Sequence, residues 1–265
     1  TQSRSSAASD VYKRQDYVIH IAGKAHSVPK LKEEQNDFYD VNVKGTNNLL
    51  KSLHHSSIKG FMFISSVAVY GATTGTNLTE DTKLMAMDSY GKTKILAEKL
   101  ILDWGSNNNV IVSIIRPPLI IGKDAPGNLG KMIKGIKKGH YINIAKGKAK
   151  RSVVLAEDIA EFSLELIRQG GIYNVTDGSD VSFEQLSNKI ANILGKGKIK
   201  SLPLWLAKIL ATFGDVYERI LKKEAPFSSI KLKQMTTDLT FSSEKATRIG
   251  WKPQAILGNV KSWIN

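Results

Sequence analysis

The chain has 265 residues and no cysteine. A disulfide scaffold, a thiolate metal site and a cysteine nucleophile are therefore excluded. The absence suits a reducing compartment, and a cytoplasmic location is expected. No run of about 18 apolar residues occurs, so no transmembrane segment is expected. The opening stretch, TQSRSSAASDVYKRQ, lacks the apolar core that a signal peptide needs. The 21 glycines form no G-x-G-x-x-G loop, and no Walker loop, H-E-x-x-H or G-x-S-x-G is present. No metal site is expected. Arginine is scarce: the net charge of +14 comes from 31 Lys and only 7 Arg. Planar, bidentate recognition of phosphate or guanine depends on arginine. A lysine excess spread along the whole chain reads as solvated surface, so nucleic acid is not the expected partner.

What is present is an alternation of short apolar runs and amphipathic segments. Tyr17 to Ala22, Phe61 to Ser66, Val110 to Ile115, Val153 to Leu155 and Ile172 to Val175 read as buried strands. Helices are expected over residues 30–55, from Asp88 or Ser89 to Trp104 with Gly105 closing it, over 126–139 and over 157–168. This order indicates an α/β protein with a parallel sheet. Residues 1–15 are polar and read as a disordered tail, and residues 72–87 read as a loop. The pattern changes after residue 177. Ser182 is placed to cap a helix through Leu194, with Glu184 and Gln185 in its first turn. Residues 203–223, PLWLAKILATFGDVYERILKK, form an amphipathic segment. It reads as a packed helix of a second lobe. A membrane-surface helix is the alternative, weakened by Asp215 and Glu218 among its charged positions.

Three residues form a chemical constellation. Tyr90 and Lys94 stand four residues apart near the start of an expected helix and share a face. Ser66 ends a buried strand, and ligands of open α/β sheets bind at that carboxyl edge. A tyrosine titrates near 10, too high for a base at neutral pH. A cation one turn away stabilises the phenolate and lowers that value. Tyr90 would then exchange a proton with a substrate hydroxyl or carbonyl, while Ser66 holds the same oxygen. The residues alone are equally compatible with a surface tyrosine, a surface lysine and a strand-end serine.

The stretch Phe63-Ile64-Ser65-Ser66-Val67-Ala68-Val69-Tyr70-Gly71, followed by Tyr90-Gly91-Lys92-Thr93-Lys94, resembles the extended short-chain dehydrogenase/reductase family. That family holds nucleotide-sugar epimerases, dehydratases and 4-ketoreductases. Four further stretches match it in order: residues 18–26, the helix Tyr39 to Leu50, Arg116-Pro117-Pro118-Leu119-Ile120-Ile121-Gly122, and Arg151 to Ala160. The resemblance implies a Rossmann-like doubly wound parallel sheet over residues 16–176, with residues 123–150 contributing to a smaller C-terminal substrate-binding lobe over 177–265. It implies NAD or NADP as cofactor, a sugar linked to a nucleotide (UDP in first place) as substrate, and a homodimer. Tyr90 is implied as general acid/base, Lys94 as ligand of the nicotinamide ribose, and Ser66 as the group orienting the reacting oxygen. Ala22, Gly23, Asn42, Ser65 and Pro117 are implied near the cofactor. Ser66, Val67, Asn128, Leu129 and Arg151 are implied near the substrate, Arg151 as the diphosphate ligand. Asn42 also reads as a buried tie between helix and loop, Asn128 as a helix cap, and Asp158 as a helix-start residue.

The 4,6-dehydratases of the family carry Asp-Glu directly after the active-site Ser or Thr. Here those positions are Val67 and Ala68, neither of which moves a proton, so epimerisation or ketone reduction at C4 is expected rather than dehydration. Features near Leu202-Pro203-Leu204-Trp205-Leu206 resemble surface-polysaccharide enzymes, and also hydroxysteroid-dehydrogenase-like reductases. A non-catalytic binding relative is a further alternative. The family's glycine fingerprint belongs before Tyr17, where this chain has sixteen residues and about 60 would be needed. The expectation is that the sheet lacks its first strands, that the sequence is an N-terminally truncated reading, and that the chain by itself is inactive.

Overall fold

A computed structural model describes residues 16–25, 32–53, 56–123, 127–221, 223 and 225–264. The tail expected over residues 1–15 lies outside them. Four parallel strands form the central sheet in the order β1 (Tyr17–His20), β2 (Gly60–Ile64), β4 (Ile111–Arg116), β9 (Gly171–Asn174). The pattern of β2 shows why it sits centrally. All five of its residues are buried, as expected of a parallel strand covered on both faces. Phe61 and Phe63 face a layer made by α2 (Gly45–Ser52) and α3 (Ser89–Asn108), packing with Leu50, Ala97 and Ile101. Met62 and Ile64 face the opposite layer, where α5 (Ala156–Gln169) supplies Ile159, Leu166 and Ile167. Among the described residues, β1 pairs with β2 on one side and with no strand on the other. Ile19 and Ile21 are exposed beside that edge.

The helix expected over residues 30–55 forms as α1 (Lys32–Tyr39), a π-helical turn (Asp40–Lys44) and α2. The π turn buries Asn42 and Val43. A second layer group is built from α4 (Gly127–Lys137), α6 (Phe183–Ile193) and α10 (Val260–Ile264), which close over β8 (Val153–Leu155) with Leu129, Met132, Leu186, Ile190 and Trp263. Ser182 caps α6 with a reciprocal capping box to Gln185, as the sequence pattern predicts. The chain then turns back. Ala246 and Trp251 join the first core, and the Trp251 indole donates to the Thr176 carbonyl at 2.8 Å.

Two expectations change. The loop expected over residues 72–87 contains β3 (Gly75–Leu78), which pairs with β12 (Leu239–Phe241) from the far end of the chain. A partner more than 150 residues away leaves no local signal. The helix expected to close at Gly105 instead runs through it to Asn108, and Asn109 ends it in the left-handed conformation at φ 58°. Gly105 serves close packing. A Cβ there would stand 2.3 Å from Val112 Cγ2.

Gly105→Ala is therefore expected to destabilise the fold by about 1–3 kcal/mol through overpacking, despite alanine's higher helix propensity. Urea denaturation of both proteins checks this; an alanine variant as stable as the parent would refute the contact.

Candidate functional site

The carboxyl ends of β1, β2 and β4 bring the predicted residues to one edge. Ser66 follows β2 and caps a 3-10 turn (Val67–Tyr70), its hydroxyl accepting from the Ala68 amide at 3.1 Å. Asp88 caps α3 by accepting from the Gly91 amide at 2.9 Å, which sets Tyr90 in the first turn. The Ser66 hydroxyl lies near enough to the Tyr90 phenol to favour its charged form. A cavity of about 390 Å³ lies over them, lined by Ser65, Ser66, Tyr90, Pro117, Pro118 and Gly122, among others. Lys94 is buried one turn further on. Its ammonium donates to the Ile64 carbonyl at 2.8 Å and stands 5.9 Å from the Tyr90 ring centre and 4.5 Å from that of Phe63.

The electrostatics correct one expectation. Burial raises the Tyr90 pKa above its ordinary value; the nearby Ser66 hydroxyl offsets this in part, and Asp88 adds to it. Lys94 does not pull the phenol down in this arrangement. Burial instead lowers its own pKa to about 8, with Glu98 opposing. The phenol is thus held as a proton donor at neutral pH.

Gly23 completes the group. A Cβ on it would lie 3.2 Å from Asn42 Oδ1 and 3.3 Å from Lys94 Nζ. Asn42 ties the loop to the helices. Its Oδ1 accepts from the Lys24 amide at 2.6 Å, and its Nδ2 donates to the Lys24 carbonyl at 3.1 Å and to Thr93 Oγ1 at 3.0 Å. These bonds match the reading of Asn42 as a buried tie. Ala22 and Gly23 are exposed on the same edge, and Val67 is half-buried behind Ser66.

The remaining predicted residues lie elsewhere. Leu129 is 1% exposed in the core under α4, so its side chain is not presented to a substrate. Leucine follows the helix's apolar period there, and the core claims it. Asn128 is exposed at the start of α4. The Arg151 guanidinium donates to the carbonyls of Lys150, Gln234 and Thr237, at the end of α8 (Ser229–Thr236), and lies over the Phe183 ring. It is not among the residues lining the Ser66–Tyr90 cavity. Asp158 accepts from the Gln254 amide at 3.0 Å and acts within the fold.

Sequence reasoning missed the support beneath the site. Glu98 and Arg116 form an ion pair at 2.6 Å with side chains only 4% and 3% exposed. Ser65 donates to Glu98 Oε1 at 2.5 Å, so its hydroxyl turns into this pair. Arg116 also donates to the Tyr70 hydroxyl at 3.1 Å, and Tyr70 donates to Asn174 Oδ1 at 2.7 Å. The available signal was the ladder Tyr90, Lys94, Glu98, one residue per helical turn. Arg116→Met is expected to cost about 3–5 kcal/mol, because the buried Glu98 carboxyl loses its guanidinium partner. Glu98→Gln combined with Arg116→Met should recover much of that loss in denaturation experiments.

His20, at the end of β1, is buried against Phe63 and bonded to Thr46 Oγ1 at 2.9 Å. Burial, aided by the nearby Lys94 charge, lowers its pKa from 6.5 to about 4. The unfolded chain then binds a proton that the folded chain refuses. Stability should fall as pH drops from 6.5 toward 4 and cease to change on this account below it. His20→Gln should flatten that slope in denaturation midpoints measured across the window.

The profile of the NAD dependent epimerase/dehydratase family matches residues 3–176. The N-acetyl-alpha-D-glucosaminyl-diphospho-ditrans,octacis-undecaprenol 4-epimerase of Escherichia coli O157:H7 is 31% identical over 222 residues, covering 81% of this chain and 66% of that protein. The UDP-glucose 4-epimerase of Vibrio cholerae is 28% identical over 91% of this chain and 73% of its own length. Among solved structures, RMD from Pseudomonas aeruginosa complexed with NADPH superposes with a TM-score of 0.70 at 23% identity, covering 94% of this chain and 80% of that one. The chain thus spans about two thirds of the length of the first of these relatives.

Proposed function

This chain belongs to the NAD dependent epimerase/dehydratase family, and from that premise we propose that it carries the proton-transfer half of an NAD(P)-dependent epimerase or 4-ketoreductase. The substrate is a sugar carried on a diphosphate. The observation that supports this most is that Ser66 and Tyr90 line one cavity at the edge of a parallel sheet, with the Lys94 ammonium one turn away.

The residues present fit the nicotinamide end of the cofactor. A buried ammonium offers three donors, and among the described residues Lys94 has one acceptor, the Ile64 carbonyl. Its other donors suit ribose hydroxyls. Gly23 leaves the space beside Lys94 and Asn42 open. The nicotinamide, when bound, supplies or accepts a hydride at the sugar carbon.

The chain's own residues handle the oxygen. In reduction, the Tyr90 phenol gives its proton to the carbonyl oxygen while Ser66 donates a hydrogen bond to the same atom. In oxidation, the phenolate takes the hydroxyl proton back. Val67 and Ala68 carry no carboxyl group, so the chain has nothing there to move protons at neighbouring carbons. Dehydration is therefore not the reading.

A nucleotide on the far side of the diphosphate is the first reading, supported by the Vibrio relative's name. A polyprenol there is the second, supported by the name of the Escherichia relative. A cytoplasmic homodimer completes the proposal; α3 exposes Leu96 and Leu102 as material for a subunit contact.

The test is turnover of a UDP-linked 4-keto sugar, or interconversion of UDP-sugars, by the full gene product containing this chain, followed by nicotinamide absorbance and product analysis. Tyr90→Phe is expected to lose about a hundredfold to ten-thousandfold in kcat. Retention of most of the turnover would remove Tyr90 from the mechanism.

A further inference from the structure

Helix α7 (Leu204–Leu221) is turned inside out. Its small residues face the protein. Ala207 and Ala211 are fully buried, and Gly214 packs so closely that a Cβ would meet the Phe227 carbonyl oxygen at 1.8 Å. Its large apolar residues face out: Trp205 is 65% exposed, Phe213 70% and Ile220 70%, with Ile209, Val216 and Tyr217 between them. At 100° per residue these six fall within one arc of about 120°. Sequence reasoning favoured a packed helix here and counted Asp215 and Glu218 against a membrane-surface helix. The structure gives both acids partners in the following segment, with Asp215 still partly exposed beside Arg219. Asp215 accepts from the Ser229 amide at 2.8 Å and from its hydroxyl at 2.5 Å, and Glu218 accepts from the Ala225 amide at 2.9 Å. The other charged residues of the helix, Lys208 and Arg219, are exposed, and both fall on one flank of the arc. The adjoining α8 carries Lys231 and Lys233, no acid, and an exposed Ile230. An open apolar cleft of about 490 Å³ runs under Leu210, Phe213 and Tyr217.

We propose that the outer face of α7 docks on the surface of an anionic phospholipid bilayer, lying in the plane of the interface. Exposed apolar surface of this extent marks an interaction site. Aromatic side chains in the arc and cations along its flank match the interfacial region and anionic headgroups. The cleft takes acyl chains, which a flat protein partner would leave empty. No described helix is long and apolar enough to cross a membrane, so the helix lies on the bilayer rather than through it. This inference stands apart from the substrate reading, since its readout needs no turnover.

The experiment is flotation of the purified chain with vesicles of phosphatidylcholine alone or mixed with phosphatidylglycerol. Binding to the anionic vesicles is expected, with salt weakening it. Ile209→Glu with Ile220→Glu should weaken partitioning by about tenfold or more, and Lys208→Glu with Arg219→Glu should remove the preference for anionic lipid. Because these side chains point outward, circular dichroism should show the variants folded. Trp205 fluorescence should be quenched by brominated lipid, and a Trp205→Phe variant should lose that quenching. Equal partitioning of parent and Ile209/Ile220 variant would overturn the proposal, as would failure of the parent to bind. So would a change of sedimentation from dimer to monomer in that variant without vesicle binding, which would make α7 a contact between copies of this chain.

Discussion

The buried Glu98–Arg116 pair is the constraint around which the site is organised. Glu98 belongs to α3 and Arg116 to the end of β4, while Ser65 and Tyr70 reach the pair from the β2 loop. Removing two charges from water is costly, and only close, multiply bonded geometry compensates. The arrangement meets that condition with one guanidinium bond to each carboxylate oxygen and the Ser65 hydroxyl donating to Oε1. Any shift of α3 along the sheet would break several of these bonds together. Tyr90 and Lys94 ride on the same helix, so their distance from Ser66 is inherited from an interaction two turns away.

The reactive groups are tuned mainly by dryness. Burial raises the Tyr90 phenol and lowers both the Lys94 ammonium and the His20 imidazole. Each shift favours the neutral form, as a low-dielectric edge dictates. Glu98 and Arg116 instead meet as a close ion pair, each bonded to the other. A site of this kind is poised for proton delivery to an oxygen.

Much of this was legible in local pattern. Strand β2, the start of α3 at Asp88, the capping box at Ser182 and Gln185, and the placement of Ser66, Tyr90 and Lys94 all depend on residues a few positions apart. What was not legible depends on distant pairing. Strand β3 is a strand only because β12 lies beside it. The partners of Ser65 and Asn42, which are Glu98, Lys24 and Thr93, are likewise distant in sequence or unmarked by it. The carbonyls at the end of α8 that hold the Arg151 guanidinium also come from a distant part of the chain. Asp215 and Glu218 were counted as outward charges, although their oxygens cap a segment that follows the helix. Composition records a charge; it does not record which way the charge points.

The close contact at Gly105 carries a mechanical meaning. Helix α3 extends about 30 Å at its ordinary rise. It is held at one end by the Asp88 cap and at the other by Gly105 lying flat against Val112 at the base of β4. Such a rod is gauged from both ends and cannot slide. The height of Tyr90 above the sheet edge is therefore measured from the floor of the sheet, through the full length of the helix, so the loops around the cavity can vary without moving the proton donor.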